Sequence, residues 1–362
     1  MADLIGSKLG QLLFIGIPGA DMDATTEKLL AEIRPGGVCF FARNIKTAEQ
    51  TRELTDSIRN LSETEPLISI DQEGGTVDRL KRIFTPMPAA AAIQTADDAR
   101  KFGKITGEAL SLLGFNMNFA PVLDVIDAAR ERTDNGLYSR AFGRSAEDVI
   151  TLAGAYARGL HQKGIFTCGK HFPGLGSAAV DSHAKLPSVS IDTNTLVSVD
   201  LLPYQALIPT RALDAVMVAH AAFPSTDLQE ADVNGKLLPS SLSKNIVGGL
   251  LRERLGFDGP VITDDLEMGA IINEYGVGEA AVMAILAGSD MAAVCAGVDS
   301  IYESFDALKK AAADGRLTED RLDASLNRIA AVKQRSLRFP NFSSDAFRQL
   351  SEDMSQFRAK IS

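Results

Sequence analysis

Asp258-Gly259-Pro260-Val261-Ile262-Thr263-Asp264-Asp265 is a short apolar run that opens on a Gly-Pro turn and ends in two carboxylates. Val261, Ile262 and Thr263 are β-branched, which favours a pleated strand, and the run is too short for a helix. Side chains alternate along a strand, so Ile262 and Asp264 share one face and Thr263 and Asp265 the other. If Ile262 fills an interior, Asp264 stands at the mouth above it. Asp265 then points to the surrounding helices or the next strand, where it can hold rim loops.

The same pattern recurs outward from this stretch. Strand-like runs are expected at 11–17, 36–41, 66–71, 116–125, 166–172, 215–222, 260–265 and 290–296. Between and after them, helical periodicity covers 25–33, 48–61, 96–113, 145–163, 194–208, 241–255, 278–287 and 300–312. Strict alternation calls for a parallel sheet, and eight strand–helix pairs close it into a (β/α)8 TIM barrel. A doubly wound open sheet is the competing fold, but no GxGxxG turn follows the first strand. Two further helices, 319–336 and 344–360, flank Pro340 and read as a C-terminal helical extension on the barrel's outside. No linker, repeat or low-complexity tract intervenes. The expected partition is a barrel over 1–315 and a helical tail over 316–362.

Composition narrows the function. Hydrophobic residues make up 45% of the 362-residue chain, enough for a large core. A net charge of −10 argues against a nucleic-acid partner, which needs a basic surface. Cys39, Cys168 and Cys295 all lie in apolar runs and read as structural thiols, not a disulfide frame. No apolar run reaches the length of a membrane span, because Ser289 and Asp290 interrupt the one near 280–298. Lys8 and the apolar 12–17 stretch faintly resemble a signal peptide, but they read better as the approach to a first barrel strand, so the cytoplasm is the default location.

Barrel enzymes carry their chemistry at the carboxyl ends of the strands. Here the third strand ends at Asp71, the fifth in Lys170-His171, the sixth at His220 and the seventh in Asp264-Asp265. One such residue would be an ordinary cap, but four on one rim point to an active site. Alternation separates Lys170 from His171 onto opposite faces. After the fifth strand, two glycines and several small residues lead to Asp181-Ser182-His183. That composition reads as a flexible loop with little reason to be buried, which closes over a bound ligand. Asp181 can hydrogen-bond His183, raise its pKa and fix its tautomer, which makes a proton-transfer pair.

These residues fall in longer motifs. Asp71-Gln72-Glu73-Gly74-Gly75 with Arg79-Leu80, Asn118 to Val125, Ser139-Arg140-Ala141-Phe142-Gly143, Lys170-His171-Phe172-Pro173-Gly174, Asp181-Ser182-His183, and the stretch from Leu250 to Asp264 together resemble the glycoside hydrolase family 3 β-N-acetylhexosaminidases of bacteria. The similarity is to the short, single-domain branch that trims cell-wall sugars, and it runs from about Ile5 to about Gly297. It implies Asp264 as nucleophile, His183 as acid/base and Asp181 as its support. It also implies that Asp71, Arg79, Arg140, Lys170 and His171 hold the sugar. Two departures stand out: Leu175 where the family usually has His, and Glu267 where it prefers a small residue.

The implied chemistry is retaining hydrolysis of a terminal β-linked N-acetylhexosamine, with peptidoglycan fragments as the source and a covalent glycosyl-aspartate on the way. The Asp181–His183 pair would replace the usual carboxylic acid. The N-acetyl preference comes from the resemblance alone. No cofactor is implied, and no metal, because no His/Cys/Asp cluster has ligand spacing. The competing readings are a family 3 β-glucosidase, a phosphorylase using the same residues, and a non-catalytic sugar-binding barrel. The aglycone, the pathway and the oligomeric state stay open at this stage.

Overall fold

The computed structural model describes residues 2–132, 135–178, 186–336 and 338–361. Eight strands form the centre: β1 (Leu13–Gly16), β2 (Gly37–Phe40), β3 (Leu67–Ile70), β4 (Met117–Asn118), β5 (Phe166–Phe172), β6 (Ala215–Val218), β7 (Val261–Asp265) and β8 (Met291–Val294). They close in the order β1-β8-β7-β6-β5-β4-β3-β2, and every barrel pairing is parallel. The (β/α)8 barrel is therefore the fold, and the open sheet is not. Most strand residues are buried on both faces, as a sheet packed between its own interior and a ring of helices requires. Inside, Phe14 meets Phe119 with ring centroids 5.0 Å apart.

Where expectation and structure differ, local chemistry explains it. The fourth strand stops after Asn118, because Pro121 has no N–H for the ladder. Beyond it, backbone bonds to β5 run from Cys168 N to Ala120 O and from Lys170 N to Pro121 O, with an isolated bridge between Val122 and Lys170. The helices expected at 194–208 and 241–255 are wound partly as π-helices, Leu196–Asp200 and Asn245–Arg254. Elements without an expectation include helices Ala2–Gly10 and Gly269–Tyr275, a small antiparallel hairpin of Gln72–Gly74 with Val77–Asp78, and short 3-10 turns such as Ala42–Asn44.

The barrel's two ends differ in kind. At the amino ends, buried acids are tied to arginines: Asp290 to Arg252 and Arg328, and Asp214 to Arg335 at 2.7 Å. His161, at the end of helix Ala146–His161, joins that face through Asp214 at 2.7 Å. Helix Glu319–Lys333 docks there too, with Ser325 Oγ donating to Asp290. Helix Ser344–Ile361 lies on helix Ala96–Leu112, where Phe357 stacks on Phe102. The carboxyl ends instead face an open cavity. No single helix among the described residues is long and apolar enough to cross a membrane.

Candidate active site

The hairpin after β3 is the first device that shapes the site. Gln72 Nε2 donates to Asp78 Oδ1, and Gln72 Oε1 accepts from Arg79 N and Leu80 N. Asn118 on β4 bonds both the N–H and the carbonyl of Gln72. Gly74 turns the chain with φ +91°, and a Cβ there would lie 2.1 Å from the Pro88 carbonyl oxygen. Asp71, Glu73 and Arg79 are thereby fixed above the barrel.

A cavity of about 390 Å³ opens over the carboxyl ends, in the range of ordinary small-molecule sites. Asp71, Arg79, Arg140, Lys170, His171 and Asp264 all line it. Six of the eight residues to which the resemblance assigns a role thus meet in one place. The other two, Asp181 and His183, lie outside the described residues.

A buried charge network forms one wall. Lys170 Nζ lies 2.6 Å from Asp71 Oδ1 and 2.6 Å from Glu73 Oε1. Arg140 grips Glu73 with two bonds, Nε to Oε2 at 2.7 Å and Nη2 to Oε1 at 3.0 Å. Burial alone would raise the Glu73 pKa, but Lys170 and Arg140 outweigh it and hold it at about 2. Burial would likewise lower Lys170, yet Asp71 and Glu73 push it up to about 12. Both ions therefore stay charged. Arg79 approaches Asp71 more loosely, at 4.0 Å.

His171 is oriented from both sides. Its Nδ1 lies 2.7 Å from Asp124 Oδ2, and its Nε2 lies 3.3 Å from Arg140 Nη2. Arginine only donates, so in the neutral ring Nε2 accepts and Nδ1 carries the proton to Asp124. Lys170 and His171 share the cavity, against the alternation rule. The register of β5 against β6 shifts between Gly169 and Phe172, and such an irregularity re-aims side chains.

Asp264 is the penultimate residue of β7, partly exposed to the cavity, with Asp265 N donating to its Oδ1 at 2.9 Å. Burial opposes its ionisation, but His171, His220 and Lys170 together bring its pKa below the ordinary carboxylate value. Asp265 holds the rim as expected, its Oδ1 accepting from Glu267 N at 3.1 Å and Cys295 N at 3.3 Å. It also borders the cavity, which alternation did not foresee. Burial, reinforced by the charges of Glu267 and Asp264, pushes it up to about 7. His220 does not reach the cavity. It is buried, with Nε2 3.1 Å from the Asp265 carbonyl and Nδ1 2.7 Å from Ser241 Oγ, and so braces the end of β7.

The segment after β5 corrects the expectation of a loose, exposed loop at its start. Leu175 and Ala178 are buried. Asp124 Oδ1 accepts from Leu175 N at 2.6 Å, and Asn135 Nδ2 reaches the carbonyls of Gly176 and Ala178 at 3.2 and 3.3 Å. Glu73, Asp124 and Asn135 had been given no role from sequence. Glu73 and Asp124 were visible inside motifs, and Asn135 carried no signal. Glu267, a departure from the motif, accepts from Ala296 N and Gly297 N at the start of helix Val298–Ala313.

Comparison with known proteins agrees with this geometry. The family model described as the glycosyl hydrolase family 3 N terminal domain matches residues 4–332. A β-hexosaminidase of Tolumonas auensis is 34% identical over 288 residues, covering 78% of this chain and 82% of the relative. One of Pseudomonas aeruginosa is 36% identical over 290 residues, again covering 78% and 82%. The solved structure of a glycoside hydrolase family 3 β-N-acetylglucosaminidase from Paenibacillus sp. str. FPU-7 superposes with a TM-score of 0.86 at 36% identity, covering 98% of this chain and 68% of that one.

Proposed function

This chain belongs to glycoside hydrolase family 3 and is a hydrolase similar to its β-hexosaminidases, and from that premise we propose that it is a retaining exo-β-N-acetylglucosaminidase in which Asp264 is the nucleophile. The observation that carries this reading is the single cavity: an ionised Asp264 faces the same space as the fixed Asp71–Lys170–Glu73–Arg140–His171 network.

In the proposed reaction, the terminal sugar sits with its hydroxyls against Asp71, Arg79, Arg140, Lys170 and His171. Charged partners of this kind make strong, directional hydrogen bonds. Asp264 attacks the anomeric carbon while the bond to the aglycone oxygen breaks, and the protonated His183 gives that oxygen its proton. Asp181 stabilises the imidazolium. The now neutral His183 then takes a proton from water, which attacks the anomeric carbon and frees Asp264. A cationic acid avoids placing a second carboxylate charge near the nucleophile. The names of the relatives support the 2-acetamido preference, and the motif resemblance supports peptidoglycan fragments as the source.

A panel of chromogenic glycosides, run with and without phosphate, tests the reading. A higher kcat/KM for the β-N-acetylglucosaminide than for the β-glucoside is expected, with free sugar as product. Equal constants would favour the glucosidase, and a sugar 1-phosphate product would favour phosphorolysis. A 5-fluoro sugar should label a peptide containing Asp264; label on another residue removes it as nucleophile.

A further inference from the structure

Two of the three cysteines belong to the same cavity. Cys39 on β2 and Cys295, the residue after β8, both line it, while Cys168 does not. Their strands are not neighbours, because β1 runs between them. Gly16 is the register partner of Cys39, and Ile15 is that of Val294, so Gly16 also lies level with Cys295. Alternation then puts all three on one side. Phe14, two residues before Gly16, faces the interior ring of Phe119, so that side is the inside of the barrel. The row reads thiol, glycine, thiol.

Glycine lets the Cys295 backbone close onto β1 at this level. Even a Cβ at position 16 would lie 2.0 Å from the Cys295 carbonyl oxygen. Besides the contact between the two thiols, each has a long contact to a carbonyl, Cys39 Sγ to Phe40 O at 3.9 Å and Cys295 Sγ to Phe14 O at 4.0 Å. Interaction with the Cys39 thiol, together with burial and the nearby charge of Asp265, pushes the Cys295 thiol well above its usual value. Both are free thiols. Among the described residues no three His, Cys, Asp or Glu side chains converge as a metal site, so a tetrahedral zinc centre is not what this pair builds.

The geometry points to a two-thiol site for a soft, thiophilic centre, trivalent arsenic or a two-coordinate metal ion, formed by Cys39 and Cys295 on the wall of the substrate cavity. Soft centres select thiolate ligands over the oxygen ligands around them. With phenylarsine oxide the step balances without electron transfer. Two As–S bonds form, the As=O bond breaks, and the two thiol protons leave with the oxygen as water, arsenic staying trivalent. Occupancy would obstruct the cavity beside Asp71 and Asp264, so such a ligand would inhibit.

Phenylarsine oxide added to the intact protein provides the test, read by native mass spectrometry and peptide mapping. One adduct per chain is expected, bridging the Cys39 and Cys295 peptides, reversed by ethane-1,2-dithiol and resistant to an equal thiol concentration of 2-mercaptoethanol. Losing one arm of a chelate should weaken binding on the order of 10²-fold in Cys39→Ser and in Cys295→Ser, and not in Cys168→Ser. Should a serine variant fail to fold, the map of the unmodified sequence decides. Arsenic on Cys168, arsenic on one cysteine only, or no adduct overturns the proposal. The inhibition arm rests on the function proposed above and is read separately. Chromogenic β-N-acetylglucosaminide turnover should fall in step with adduct formation. A bridged adduct with turnover intact upholds the dithiol and overturns its placement in the substrate cavity.

Discussion

Glu73→Gln probes whether the sugar-facing wall is held together by charge. Glu73 is 4% exposed and accepts from Lys170 at 2.6 Å and from Arg140 at 2.7 and 3.0 Å. Burial raises its pKa, and the two cations more than reverse this, taking it from 4.5 to about 2. At about 1.4 kcal/mol per pKa unit, the displacement corresponds to about 3 kcal/mol of native-state stabilisation. The sign follows from proton counting. Between pH 4.5 and 2 the unfolded chain binds more protons than the native one, so the contribution is complete above pH 4.5 and disappears as pH falls through 2. Glutamine keeps the shape but removes the charge, and its amide N–H groups face donors. A loss of about 3 kcal/mol at pH 7 is expected, at the lower edge of the range for breaking a buried pair. Urea unfolding of both proteins from pH 7 to pH 2.5 measures it. The stability gap should shrink as the pH drops below 4.5, and KM should rise because Lys170 and Arg140 lose their shared anchor. A gap that stays constant with pH would refute the charge argument and reduce Glu73 to packing.

Asp264→Asn should abolish turnover by orders of magnitude while leaving the unfolding midpoint near that of the unmodified sequence; retained kcat would remove the nucleophile from this position. Asp265, with a native pKa of about 7 against an ordinary 3.8, binds more protons folded than unfolded across that window, so stability falls as pH rises from 4 to 7. Asp265→Asn should therefore gain Tm relative to the unmodified sequence between pH 5 and pH 8, and a pH-independent difference would count against this. His183→Ala should slow cleavage of a natural disaccharide far more than that of a nitrophenyl glycoside, whose leaving group needs little protonation. Equal loss in burst-phase measurements would make His183 a binding residue.

The barrel was legible because its strands are short, β-branched and separated by long amphipathic helices, and that pattern survives without tertiary knowledge. Boundaries failed where a single residue altered the ladder, as at Pro121, or where the register slipped, as around Lys170 and His171. Within the site, Asp71, Lys170, His171 and Asp264 stood out because several polar strand ends fell on one rim, whereas Arg79 and Arg140 came from the family resemblance alone. Their supports did not stand out. Glu73, Asp124 and Asn135 matter through distances to groups 67, 47 and 41 positions away in the chain, and spacing along a sequence carries no such information. Cys39 and Cys295 illustrate the same limit. Each reads as a buried structural thiol until the strand order sets them on either side of Gly16.

One carboxylate connects His171 to the start of the segment that follows β5. Asp124 Oδ2 lies 2.7 Å from Nδ1 of His171, which sets a ring that lines the cavity. Its other oxygen takes Leu175 N, at the root of the segment that leads toward Asp181 and His183. Asn135 clamps the next carbonyls, and Arg130 braces Asp200 beneath them with bonds of 2.8 and 2.9 Å. The family's His is replaced here by Leu175, whose apolar side chain is buried against this base, and the contact that survives the replacement is a backbone N–H, which any residue but proline supplies. The root of the segment that follows β5 is thus set by the same group that orients His171. Asp124→Asn is therefore expected to disturb the His171 ring and the Leu175 backbone together, since each of its oxygens holds one of them.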